Sequence, residues 1–109
     1  MRALLHRRDV LQQALTRLTP DWSWSQPDGG LALWVRLPFG DADGLAQVAL
    51  RHGVDVTPGS VHTVDDTHRD HVRLAYAQRP DLLLVGADRL ARAWSEYAGA
   101  YAQRIPKLA

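Results

Sequence analysis

His71-Val72-Arg73-Leu74-Ala75-Tyr76-Ala77 alternates strictly, with Val72, Leu74 and Tyr76 on one side and Arg73, Ala75 and Ala77 on the other. Successive side chains of a strand point to opposite faces, so the pattern predicts a strand buried on one side only. Arg73 then projects away from the aliphatic face. The same alternation occurs upstream, where Leu31, Leu33, Val35 and Leu37 interleave with Ala32, Trp34 and Arg36 before Pro38 and Gly40 end the run. A shorter one, Val54-Asp55-Val56, predicts a third strand ahead of the turn signal Pro58-Gly59-Ser60.

The flanking segments carry the helical period instead. From Arg2 to Leu18, Leu4, Leu11, Leu15 and Leu18 line one face of a helix that Pro20 stops, and Arg7, Arg8, Asp9 and Arg17 read as its solvated side. Asp41 suits the N-cap of a second helix through Leu45, Val48 and Ala49, and Gly53 its C-terminal stop. Pro80 suits the first turn of a third helix, with the stripe Leu83, Ala87, Leu90, Trp94, Tyr97 and Tyr101. Leu90 and Trp94, in mid-stripe, are expected to pack against the sheet. Helix, strand, helix, strand, strand, helix predicts an α+β domain over residues 1–109: a small three-stranded, largely antiparallel sheet covered on one face by helices.

Composition narrows the function classes. The chain of 109 residues is 46% hydrophobic and 23% charged, as in an ordinary globular domain, and has no apolar stretch long enough to cross a bilayer. With no signal-peptide pattern and no cysteine, a cytoplasmic location is expected. Thirteen basic residues against 12 acidic ones leave a net charge of +1, too little for a nucleic-acid footprint. Twelve of the basic residues are arginine, and Lys107 is the only lysine. The chain opens directly in an amphipathic helix, as a segment of a longer polypeptide would.

Three motifs in order, Pro27-Asp28-Gly29-Gly30-Leu31-Ala32-Leu33-Trp34-Val35, Gly53-Val54-Asp55-Val56-Thr57-Pro58-Gly59-Ser60 and His71-Val72-Arg73-Leu74-Ala75-Tyr76, resemble the C-terminal small domain of fold-type I, class I/II aminotransferases. The closing run Gly86-Ala87-Asp88-Arg89-Leu90-Ala91-Arg92-Ala93-Trp94 resembles the MocR-type subgroup, in which a GntR-like DNA-binding domain is fused to an aminotransferase-like body and takes part in transcription regulation. The resemblance implies a homodimeric parent in which this domain closes over pyridoxal phosphate held by a separate large domain. It also implies that Arg73 grips the α-carboxylate of an amino-acid substrate or effector. Arginine suits that task because its planar fork meets a carboxylate in two parallel charge-assisted hydrogen bonds.

The residues that would hold the cofactor or use it catalytically are not expected in this chain, since Lys107 lies in a tail that matches no motif. The isolated chain is therefore expected to be inactive. It departs from the family at Val61-His62-Thr63, where an aromatic is usual, and at Ala75-Tyr76, where serine or proline and phenylalanine are usual. Without the resemblance, Arg73 reads as a strand arginine paired with Asp55 or Asp70. A zinc site from His62, His68 and His71 with Asp65 and Asp66 is not expected, because these residues are scattered through a polar loop. The rival reading is a non-catalytic interaction module that binds a partner chain through Trp22-Ser23-Trp24 and Trp34.

Overall fold

The computed structural model describes residues 2–25, 31–61 and 69–104. In chain order the elements are α1 (Arg2–Leu18), β1 (Ser23–Ser25), β2 (Ala32–Arg36), α2 (Ala42–Arg51), β3 (Thr57–Pro58), a single 3-10 turn (Gly59–Val61), β4 (His71–Ala75) and α3 (Pro80–Arg104). The strands form one antiparallel sheet in the order β1-β2-β4-β3. No helix among the described residues is long and apolar enough to cross a membrane.

The α+β class and the single helical layer agree with the expectation, but the sheet has four strands where three are expected. The added strand, β1, is three residues at an edge, too short to show its period. The predicted strand Val54-Asp55-Val56 is not one. The Val54 amide donates back to the Ala49 carbonyl at 3.0 Å and so closes the end of α2. Pairing with β4 starts only at Thr57, opposite Arg73. Pro58, which has no amide to donate, is tolerated there because β3 is an edge.

The inner sheet face and the helices share one core. Leu33 lies opposite Leu74 and Val35 opposite Val72, and all four are buried against Leu11, Leu15, Leu45, Leu83 and Leu90. Asp41 caps α2 as expected: its backbone is extended and its Oδ1 accepts the Gly44 amide at 2.8 Å. Gly53 ends the helix at φ +80°, a left-handed conformation open to glycine.

Two helical expectations need correction. Leu90 is buried in the common core, but Trp94 is half-buried and packs edge-on to Trp22 and beside Phe39 and Tyr97 instead of on the sheet. The stripe drifts because α3 runs 25 residues and outlasts the small sheet. Arg7, expected to be solvated, is half-buried and donates from Nη1 to the Ala77 carbonyl at 2.6 Å, tying α1 to the end of β4. A long arginine on a helix flank can bury its stem and still satisfy its head.

α2 is fixed at its start by a residue far away in sequence. The hydroxyl of Tyr97 accepts the Asp41 amide at 2.8 Å. Gly40, at φ +79°, leaves room for that ring, since a Cβ there would collide with the Tyr97 hydroxyl.

Candidate functional site

The helix-free face of the sheet carries the polar half of every alternation. Residues directly opposite in antiparallel strands share a face, so the pairs Trp34 with Arg73, Arg36 with His71, Ser23 with Arg36, Ser25 with Trp34 and Thr57 with Arg73 place all seven side chains on this side. Arg73 is half-buried at the centre of the face, between β2 and β3.

Beside Arg73 runs a connected group. The Trp34 indole stacks on the His71 imidazole with ring centres 5.1 Å apart and planes 22° apart. Nδ1 of His71 donates to Oδ1 of Asp70 at 2.8 Å; a carboxylate can only accept, so this nitrogen carries the proton. Nε of Arg36 donates to Oδ2 of the same carboxylate at 3.0 Å. Burial raises the pKa of Asp70, but the hydrogen bonds from Arg36 and His71 and the attraction of His71 outweigh it and hold the carboxyl below its ordinary value. A shallow depression of about 200 Å³ opens over Ser23, Ser25, Trp34, Arg36 and His71.

Arg73 takes no part in this group. Among the described residues its side chain makes no hydrogen bond, ion pair or ring contact, and Asp70, one of the two acids a structural pairing would use, is engaged by Arg36 and His71. A half-buried guanidinium with its donors unspent is suited to a planar anion approaching from the helix-free side.

The aromatic residues of the rival reading divide. Trp22 is buried against Trp94, Trp24 packs on the core, and only Trp34 stands on the helix-free face. His62, Asp65, Asp66 and His68 lie outside the described residues, and so does Lys107. No three histidine or carboxylate side chains among the described residues converge as metal ligands. The described residues include no lysine, the side chain that would form a Schiff base with pyridoxal phosphate.

Sequence reasoning gave the direction of Arg73, away from the core, and it put Trp34 and Arg36 on the mixed side of their strand. It missed the Trp34–His71–Asp70–Arg36 group. The signal was present only as two alternations, and their register, which brings Trp34 opposite Arg73 and Arg36 opposite His71, is not written in either one.

No protein-family model matches the chain. The aromatic-amino-acid aminotransferase 1 of Thermococcus litoralis is 31% identical over 93 residues, which cover 83% of this chain and 22% of that protein. Among solved structures, the α-aminoadipate aminotransferase of Thermus thermophilus, complexed with N-(5'-phosphopyridoxyl)-L-leucine, superposes with a TM-score of 0.82 at 27% identity over 91% of this chain and 26% of its own. The kynurenine aminotransferase of Pyrococcus horikoshii gives 0.78 at 30% identity over 87% and 24%. The chain spans about a quarter of the length of the aminotransferases it matches and has the fold of that portion of them.

Proposed function

We propose that this chain serves as the small domain of a pyridoxal-phosphate-dependent aminotransferase-like protein, closing over a cofactor held by a large domain and binding the amino-acid α-carboxylate through Arg73. Arg73 carries the reading: it is half-buried on the helix-free face and its side chain makes no ion pair or hydrogen bond among the described residues. The similarity to a quarter of several aminotransferases supports the reading. The cofactor, when held by the large domain, supplies the electron sink for chemistry at the amino-acid α-carbon. This chain binds and orients. Two parallel bonds from one guanidinium fix a carboxylate against rotation, so the amino end is presented in one direction.

The test is titration of the chain with isocaproate, an aliphatic carboxylate, followed by NMR. A charge-assisted pair contributes about 1.5 to 3 kcal/mol, so Arg73→Ala should weaken binding by roughly 10- to 150-fold. Arg73→Lys should recover only part of the loss, because a point charge lacks the fork. Unchanged affinity in Arg73→Ala would remove the assignment.

The likeness of Gly86–Trp94 to the MocR-type subgroup favours a second form of the same reading, in which a homodimeric transcription regulator uses Arg73 to grip an effector. Turnover separates the two forms. An aminotransferase parent passes the amino group to an oxo acid, whereas a regulator binds the amino acid and accumulates no product.

A further inference from the structure

On the helix-covered side of the sheet, an apolar groove of about 240 Å³ opens between the first turns of α3, the end of β4 and the segment that follows α2. It is lined by Leu11, Leu74, Leu83 and Leu90 of the core, by half-buried Val54 and by exposed Leu82. Gly86 borders it from within α3. A glycine inside a helix lowers stability relative to alanine. Packing does not require one here, because a Cβ at this position would meet only Cγ2 of Val54, at an ordinary 3.9 Å. What the missing side chain preserves is room in the groove.

The groove also has a sign. Asp55 lines it, exposed, and its side chain makes no hydrogen bond or ion pair among the described residues. That is unusual in this chain. Apart from Asp21, every other acidic side chain among the described residues is engaged by a hydrogen bond or an ion pair. Arg89 reaches the same end of α2, yet it donates from Nη1 to the Gly53 carbonyl at 3.0 Å and leaves Asp55 unpaired.

We propose that this groove is a binding site for an ammonium ion with a compact apolar tail, the tail lying over Gly86 among the leucines and Val54 and the cation meeting the Asp55 carboxylate. An apolar cavity of about 150 Å³ holds benzene, so a groove of about 240 Å³ has space for a phenyl ring on a two-carbon arm. The carboxylate attracts an amine and repels an anion of the same shape, and it gives a neutral tail no comparable gain. The site lies across the sheet from Arg73, and the inference does not rest on the carboxylate reading of that residue.

The experiment titrates the whole chain with phenethylammonium, 2-phenylethanol and phenylacetate, which share a ring and a short arm and differ in charge. The readout is the NMR methyl resonances of Val54 and Leu82, so that an anion bound at Arg73 is not counted. Phenethylammonium should shift both residues saturably and bind roughly two- to fivefold more tightly than the alcohol, the range of an exposed ion pair. Phenylacetate should bind most weakly. Asp55→Asn should erase the preference for the amine and keep the weaker affinity for the alcohol. Gly86→Leu, which adds a better helix former, should fill the groove and end binding of all three while the thermal midpoint holds or rises. The proposal is overturned if the amine leaves Val54 and Leu82 unmoved, if Asp55→Asn retains the preference, or if Gly86→Leu folds and still binds. It is equally overturned if the alcohol binds wild type as tightly as the amine, which would make the groove a docking face for any apolar segment.

Discussion

The two faces of this sheet are built by the same two strands and have opposite characters. On the inner face Leu33 meets Leu74 and Val35 meets Val72, and Leu33, Val35 and Val72 are fully buried. On the outer face Trp34 meets Arg73 and Arg36 meets His71, none of them buried. The strands therefore keep the buried core and a polar surface one residue apart. Hydrophobic burial is collected on the side the helices cover, and hydrogen-bonding capacity stays on the side they leave open. A substitution at position 33 and one at position 34 should then have unlike consequences.

The sharpest way to break this division is truncation of one residue on each face. Leu33→Ala should cost about 2 to 5 kcal/mol in denaturant unfolding, since it leaves a cavity in a close-packed core. Trp34→Ala removes a much larger side chain but only a half-buried stack, and about 1 kcal/mol is expected. If Trp34→Ala were as costly as Leu33→Ala, the outer face would be part of the core.

Smaller effects refine the comparison. Asp70 has a lowered pKa in the folded chain, so its pairing with His71 and Arg36 stabilises the fold fully above the ordinary carboxylate value of 3.8 and is lost as pH falls through the folded value beneath it. Wild type should lose more stability than Asp70→Asn across that acid window. The difference should be at most about 1 kcal/mol, because Arg36 is largely exposed. Thermal melts at stepped pH measure it, and parallel curves would show that the pairing adds nothing. The smallest effect is expected at Arg73→Ala, within about 0.5 kcal/mol of wild type, because no bond among the described residues depends on it. A large loss there would mean that Arg73 is a structural residue.

Much of the fold was legible in local patterns. The period-two runs found β2 and β4, the helical stripes found all three helices, and Asp41 and Gly53 marked the ends of α2, because each of these signals depends on neighbours within one or two turns of chain. Val54-Asp55-Val56 misled for the same reason: its alternation is local, whereas the competing bond from Val54 to Ala49 depends on how α2 ends. The resemblance to aminotransferases pointed to Arg73, and alternation alone supplied its direction.

By itself, then, the sequence determined the three helices and the strands β2 and β4, which side of these two strands is apolar, and that Arg73 leaves the core. Tertiary structure decided which outer-face residues meet. Register joins segments that are distant along the chain: it sets Trp34 opposite Arg73 and leads the indole to His71. Folding likewise carries the Tyr97 hydroxyl to the Asp41 amide across 56 residues. Such pairings have no local signature. They follow from burying one face of each element in a common core, which fixes the strands against one another, and the polar side chains opposite that core take their partners from the register that results.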